Sequence, residues 1–318
     1  MNYDIACVIV TFNRKELLKR CLDAVISQTY KPKTVYITDN ASTDGTMNSV
    51  KEWGYYNSIR EGISFKYILN SKNEGGAGGF YLGMKTANED TMYDALWIMD
   101  DDGAPEKDCL KHLVIHLSTN EYIAPVVLSD EDKESCSFTD THESYSKFVE
   151  KAEYDIIKGK ASPFNGILLS NKLLKKVGYP KKDMFIWGDE NNFQTRCIIA
   201  GFPPITDVKA IHYHPVDRLV RFKYHGVNVS PIMQDWKLYC YVRNRIYNGI
   251  YVSPHKMNNK ILIFLATIYM CLYSIWVMFC IAIYYKKELK QSKSSVIFKA
   301  GFSGMVCYFG GLDEYMKK

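Results

Sequence analysis

The sequence has no C-x-x-C pair and no histidine–cysteine spacing suited to zinc, although it holds nine cysteines. A zinc ribbon and a redox dithiol are therefore excluded. Several cysteines, Cys7 among them, sit inside apolar runs as small hydrophobes, the pattern of a reducing compartment. There is no G-x-G-x-x-G fingerprint and no P-loop with its Lys and Ser/Thr. Basic footprints are missing too: 40 Lys and Arg face 35 Asp and Glu, a formal charge of +5. Apart from a cluster near the C-terminus these charges are scattered, so no nucleic-acid partner is expected. The first residues carry Asp4 and only a short apolar run, which does not read as a signal peptide.

What is present centres on Trp97-Ile98-Met99-Asp100-Asp101-Asp102-Gly103-Ala104-Pro105. An apolar strand delivers three carboxylates, and Gly103 and Pro105 end it. Pleating puts Asp100 and Asp102 on one side of an extended chain and Asp101 on the other. Two like charges ~5 Å apart repel by about 3 kcal/mol at an effective dielectric near 20. A cation that offsets this is favoured over a solvated acidic turn. All-oxygen ligands suit Mg²⁺ or Mn²⁺, usually through one or two carboxylates plus substrate phosphates.

The rest of the chain supplies a frame for that strand. Residues 5–10 are a continuous apolar, β-branched run, broken by Thr11-Phe12-Asn13-Arg14. Leu17, Leu18, Cys21, Leu22, Val25 and Ile26 then recur at helical spacing. Residues 34–38 read as a second strand, and the polar turn from Asp39 to Thr46 opens a second helix. Residues 63–69 give a third strand, followed by Asn73-Glu74-Gly75-Gly76-Ala77-Gly78-Gly79 and another helix. This alternation predicts a doubly wound α/β sheet, whose ligands bind at the carboxyl ends of the strands. Thr11, Asp39, Asn73 and the Asp triplet all lie at such ends. The glycines admit two readings, close approach of backbone to a ligand or tight helix–sheet packing.

Residues 129–160 are charged and poor in large aliphatics, and read as a mobile excursion near the site. Further on, the aromatic run Phe185-Ile186-Trp187-Gly188 delivers Asp189 and Glu190 to a helix N-terminus, as a cap or as a general base. Ala210-Ile211-His212-Tyr213-His214 follows a strand, and its two histidines at i, i+2 read as ligands sharing one face or as ordinary polar residues. Arg243-Asn244-Arg245 reads either as a phosphate contact or as an exposed basic turn.

Taken together these stretches resemble the family 2 glycosyltransferases, and within them the bacterial rhamnosyl- and galactofuranosyltransferase-like branch. The segments that carry the resemblance are Val10 to Arg14, Thr38 to Thr46, Asn73 to Phe80, Trp97 to Pro105 and Phe185 to Arg196. The resemblance implies a GT-A-like doubly wound mixed sheet, a nucleotide-diphosphate sugar donor, Mg²⁺ or Mn²⁺, and inversion at the anomeric carbon. It implies donor contacts at Thr11, Arg14, Asp39 (the nucleobase reader), Asn73, Gly76, Asp100 and Asp101. It implies metal ligands at Asp100, Asp102 and a histidine, His212 or His214, and a catalytic base at Asp189. One departure concerns the acceptor: galactofuranosyltransferases often carry Glu before the aromatic residue of the last motif, and here Asn192 precedes Phe193. UDP-galactofuranose is the first donor expectation and dTDP-rhamnose the next. A nucleotidyltransferase of sugar activation would show a basic glycine-rich signature near its N-terminus, and a non-catalytic sugar-binding protein would not need both Asp102 and Asp189.

Residues 261–285 contain no charged side chain over 25 positions. As a helix they would reach ~37 Å, enough to cross a ~30 Å hydrocarbon core or to lie on it. Lys286, Lys287, Lys290 and Lys293 follow. The sequence thus predicts a catalytic domain over residues 1–215 and a helical, membrane-associating region over 216–318, at the cytoplasmic face of a bacterial membrane. A glycan or lipid-linked glycan is the expected acceptor.

Overall fold

The computed structural model describes residues 2–138, 143–162, 164–216 and 222–316. Residues 139–142, inside the charged excursion, and Pro163 lie outside them. The chain divides into two compact units, Met1–Lys182 with Ala200–Asp217, and Asp183–Ile199 with Arg218–Lys318.

The first unit alternates strand and helix as the periodicities predict. Its elements are β1 (Ile5–Thr11), α1 (Lys15–Ile26), β2 (Thr34–Asp39), α2 (Thr46–Glu52), β3 (Ser58–Arg60), β4 (Ile63–Leu69), α3 (Gly75–Asp90), β5 (Ala95–Asp100) and β6 (Ala104–Pro105). They continue with α4 (Cys109–Ile115), β7 (Tyr122–Ser129), α5 (Tyr145–Val149), β8 (Ile156–Lys158), β9 (Asn165–Ser170), α6 (Asn171–Val177) and β10 (Ile205–His214). Among the described residues the sheet has ten strands in the order β3-β4-β2-β1-β5-β9-β7-β10-β6, with β8 on β10. It is mixed: β4, β2, β1 and β5 run parallel, and β9 enters antiparallel between β5 and β7. Every residue of β1 is buried, which explains why its apolar run shows no alternation. Register sets the site, because Thr11 pairs with Asp39 on one flank while Val10 pairs with Asp100 on the other.

Two glycine effects fix the geometry. A Cβ on Gly79 would stand 2.4 Å from Val10 Cγ1, and one on Gly83 2.4 Å from Thr38 Oγ1, so α3 lies directly on the sheet. Between β5 and β9 the pairing slips after Ile98, leaving Gly166 as the extra residue with φ +74°. Glycine supplies that left-handed conformation at a bulge. The bulge is held by Trp97, whose Nε1 donates to the Gly166 carbonyl at 2.9 Å.

The excursion over residues 129–160 differs from expectation: where described, it is folded. Cys136, Ile157, Tyr145 and Phe148 pack on Val126, Leu128, Val208 and Ile211, and the Tyr145 hydroxyl donates to the Val208 carbonyl. Cysteine and aromatics do there what large aliphatics do elsewhere.

The second unit holds α7 (Asp189–Ile199), the hairpin β11 (Phe222–Tyr224) and β12 (Val227–Val229), then α8 (Asp235–Tyr251), α9 (Lys260–Lys287), α10 (Ser294–Met305) and α11 (Asp313–Met316). Small residues bring the helices together: a Cβ on Gly304 would lie 2.5 Å from the Arg243 carbonyl, and one on Gly301 would overlap Met278. Residues 183–199, grouped on sequence with the first domain, cluster with this unit.

Candidate active site

In the first unit the predicted donor-binding residues converge at the carboxyl edge of the parallel strands. β5 stops at Asp100, and Asp101 and Asp102 lie in the turn closed by the Gly103 amide on the Asp100 carbonyl. The pleat alternation expected across the triplet therefore ends at its first member. Asp101 is buried and turned back toward β1, where its Oδ2 accepts from Thr11 Oγ1 at 2.7 Å. Arg14 reaches both neighbours, at 3.4 Å from Asp101 Oδ1 and 2.8 Å from Asp102 Oδ2. Arg20 anchors the turn from below, donating to the Asp102 carbonyl at 2.6 Å and to Asp130 at 2.8 Å.

The triplet is electrostatically loaded. Burial pushes Asp100 well above the usual carboxylate range, and Asp102 and Asp101 push it further. Burial likewise raises Asp101, to about 6, against the opposing pull of Thr11 and Arg14. Burial opposes ionisation of Asp102 as well, but His214 and Arg14 outweigh it and hold that carboxyl below its ordinary value. Two groups thus resist ionisation while the third is held charged.

The two histidines of β10 have different surroundings. His212 is fully buried, its ring clamped by two glycines: a Cβ on Gly103 would stand 2.3 Å from Nε2, and one on Gly166 2.7 Å from Nδ1. Neither ring nitrogen has a hydrogen-bond partner among the described residues, and burial lowers its pKa to about 3. His214 stands with Nδ1 2.7 Å from the Pro215 carbonyl and Nε2 3.0 Å from Asp102 Oδ1. With Nδ1–H donating to that carbonyl, Nε2 is the ring atom left facing the Asp102 carboxylate. The second contact is not aligned as a hydrogen bond, so Asp102 Oδ1 is a buried acceptor left without one. Burial works against a charged His214, but Asp102 outweighs it and raises the pKa.

Asp39, Asn73 and Gly76 line the neighbouring strand ends. Asp39 Oδ1 accepts from the Ser42 amide at 2.8 Å, and its Oδ2 accepts from the Tyr67 hydroxyl. The loops after β1 and β2 are stitched together by Asn13, which accepts from the Thr43 amide at 2.7 Å and takes φ +54°. Asn73 Oδ1 accepts from the Gly75 amide at 2.8 Å and so shapes the turn into α3. The two readings of the glycines divide between them: Gly79 packs on the sheet, whereas a Cβ on Gly76 would meet nothing within 4 Å. A separate cavity of about 510 Å³, lined by Tyr36, Lys66, Tyr67, Thr86 and Asp90, contains none of the predicted site residues.

Asp189 belongs to the second unit, where it is buried as the first residue of α7. The loop before it is unusual: Phe185, Trp187 and Gly188 have φ of +68°, +59° and +92°. Left-handed backbone at bulky aromatics costs of order 1–3 kcal/mol each and persists only where surroundings impose it. α8 imposes it. The Asn244 amide nitrogen lies within hydrogen-bond reach of the Met184, Ile186 and Trp187 carbonyls, at 2.9, 3.0 and 2.8 Å. Fully buried Arg243 donates to Met184 at 2.8 Å and to the Phe309 carbonyl at 3.0 Å. Asn248 closes the first turn of α7, donating to the Gly188 carbonyl at 2.7 Å and accepting from Asn192 at 2.9 Å.

These partners correct the reading of Arg243-Asn244-Arg245 as a phosphate contact or an exposed turn. Arg243 and Asn244 are buried mid-helix and engaged with main-chain carbonyls, and Arg245 donates to the Asn228 carbonyl. One sequence signal pointed there: Leu238, Val242, Ile246 and Ile250 recur at helical spacing and bracket the pair. Asn244→Ala leaves buried carbonyls unsatisfied and is expected to lower stability by about 1–3 kcal/mol in urea unfolding. An unchanged midpoint would show the loop is held by other means.

Among the described residues no group of three or more His, Cys, Asp and Glu is arranged to hold a metal ion by itself. Asp102 and His214 offer two facing ligand atoms, which fits an ion whose remaining ligands come from substrate phosphates and water.

Comparison with known proteins identifies the family. The glycosyl transferase family 2 model matches residues 6–178, more than half of the chain. The galactofuranosyltransferase GlfT1 of Mycobacterium tuberculosis is 30% identical over 225 residues, covering 68% of this chain and 71% of its own. The abequosyltransferase RfbV of Salmonella typhimurium is 30% identical over 149 residues, 46% of this chain and 41% of its own. Among solved structures, a mannosyltransferase of Pyrobaculum calidifontis, determined with GDP-Man and Mn²⁺, superposes with a TM-score of 0.56 at 16% identity. That superposition covers 96% of this chain and 88% of the other, and shows the GT-A fold.

Proposed function

Because the chain belongs to glycosyl transferase family 2, we propose that it transfers a sugar, with inversion, from a nucleotide-diphosphate sugar to a cell-surface polysaccharide or its lipid-linked precursor. The observation that carries this reading is the row of Thr11, Asp39 and Asp100 to Asp102 across adjacent parallel strand ends, with His214 facing Asp102. In such sheets the ligand lies beyond those ends.

In this reading Asp39 accepts from the nucleobase, Arg14 and Asp101 position the diphosphate end, and the open Cα of Gly76 lets the donor approach α3. Asn73 holds that turn in shape. Asp102 and His214, with Asp100 beside them, are the residues that would hold Mg²⁺ or Mn²⁺; the clamped ring of His212 makes it the packing partner of the pair. A divalent ion bound there would offset the charge of the departing nucleoside diphosphate. Asp189 takes the proton from the acceptor hydroxyl as its oxygen attacks the anomeric carbon. The bond to the diphosphate breaks on the opposite face, and its electron pair leaves with the nucleotide.

UDP-galactofuranose is the favoured donor, on the relation to a galactofuranosyltransferase along most of the chain, and dTDP-rhamnose is the next. Asn192 bears on the acceptor instead. Where the related branch often presents Glu, this chain buries an amide bonded to Asn248 and Arg196. The apolar α9 and the lysines after it support a working site at a membrane surface, on the cytoplasmic face, within reach of a lipid-linked acceptor.

The test is nucleotide release by purified protein across UDP-, dTDP- and GDP-sugars. Metal-dependent release from UDP-galactofuranose, rising with a glycan acceptor, is the expected result. Release from a GDP-sugar alone would overturn the donor assignment, and release from none would overturn the transferase reading.

A further inference from the structure

We propose that α9 does not cross the bilayer but lies in its plane, immersing one face in a single leaflet of anionic lipid. The inference rests on the membrane reading above and deepens it. The segment has the length and composition of a span, and the elements that flank it decide against crossing.

From Ser274 onward α9 has one face buried in the protein and one exposed, and residues 261–273 are exposed or half-buried. Val277, Met278, Ile281, Tyr284 and Tyr285 are buried in the core formed with α8 and α10. On the opposite side Ile261, Leu265, Ile268, Leu272, Phe279 and Ile283 are all exposed, Ile261 by 70% and Leu272 by 65%. Their spacings of three, four and seven residues keep them on one stripe. From Ile261 to Ile283 that stripe runs ~33 Å at 1.5 Å per residue. Phe279 stacks edge-on against Phe298 of α10, one turn from exposed Phe302, so the apolar surface continues onto the next helix.

Crossing is prevented by α8, which runs antiparallel beside α9. The start of α8 lies at the end of α9: the Tyr285 hydroxyl bonds the Ile232 amide at 2.6 Å, and Lys293 pairs with Asp235. The end of α8 lies near the middle of α9, where a Cβ on Gly249 would stand 2.8 Å from Met270 Cε. A spanning α9 would pull α8 into the hydrocarbon with it. α8 carries Asp235, Lys237, Arg245 and Asn248 outside the core, and holds the loop before Asp189. That burial is far costlier than leaving both helices at the surface.

Charge identifies the occupant as lipid. Lys256 and Lys260 are exposed at one end of the stripe, and Lys286, Lys287 and Lys290 at the other. Lysines at both ends of the stripe put cations where anionic headgroups lie, while the packing of α8 beside α9 decides between lying and crossing.

Trp276 supplies the test, because it is exposed and sits near the middle of the helix. Full-length protein is floated with phosphatidylcholine vesicles, with and without phosphatidylglycerol. Binding should be about ten-fold tighter or more with the anionic lipid, since each lysine near the surface adds attraction. Lipids brominated near the glycerol end of the acyl chain should then quench the Trp276 signal, taken as the difference from Trp276→Phe, better than lipids brominated at the methyl end. A crossing helix holds Trp276 near the midplane and gives the reverse order, which overturns the in-plane geometry while the membrane reading stands. Failure to float with either vesicle overturns both. If Leu272→Glu converts a dimer to a monomer and wild-type protein ignores vesicles, the stripe is a contact between two copies and the proposal is wrong.

Discussion

Asp102→Asn is expected to lower turnover by about 10³-fold while the protein still folds. The loss follows if the carboxylate facing His214 holds the ion that offsets diphosphate charge, worth several kcal/mol in the transition state. Stability should fall modestly, because the pairing with His214 and Arg14 that holds Asp102 charged is lost, offset in part because Asp102 no longer opposes ionisation of Asp100. The pair lost with Arg14 involves a half-exposed guanidinium, and such pairs contribute little. Turnover, thermal melting and nucleotide binding titrated with Mn²⁺ on one variant separate these terms. Near wild-type turnover in chelator-treated buffer would remove the ion from the reaction.

Asp189→Asn should leave donor and metal affinity near normal and slow turnover by about 10²–10⁴-fold, the usual worth of a positioned base. The same residue opens α7, and a cap lost there would cost about 1 kcal/mol of stability with little effect on turnover. Calorimetric donor binding, melting and turnover tell the two apart. Full activity in a less stable protein would pass the role to Glu190, whose carboxylate now accepts from the Gly188 amide at 3.0 Å.

How far the sequence reveals this arrangement depends on the kind of signal each residue sends. Buried parallel strands announce themselves as apolar runs, and their ends as abrupt polarity, so Thr11, Asp39 and Asp100 could be placed side by side before any coordinates. His212 and His214 could not be separated, because strand alternation puts both on one face. What separates them is Gly166 at the β5–β9 bulge, together with Gly103, and a bulge leaves no mark in periodicity. Arg243 misled because charge normally means solvent. Its burial is explained by carbonyls some sixty positions earlier in the chain, a long-range relation with no local trace.

That long-range relation carries over to synthesis. Asn248 bonds the Gly188 carbonyl across a separation of 60 residues. At roughly 5–20 residues per second on the ribosome, the aromatic loop and α7 would emerge about 3–12 seconds before the helix that holds them. During that interval Phe185, Ile186 and Trp187 have none of their α8 partners, and are a natural site for chaperone capture or misfolding. The same dependence means that a chain cut near residue 215 would keep the donor-binding sheet yet strand α7 without its support. Slowing translation between residues 190 and 250 should therefore change the yield of active enzyme more than slowing it elsewhere.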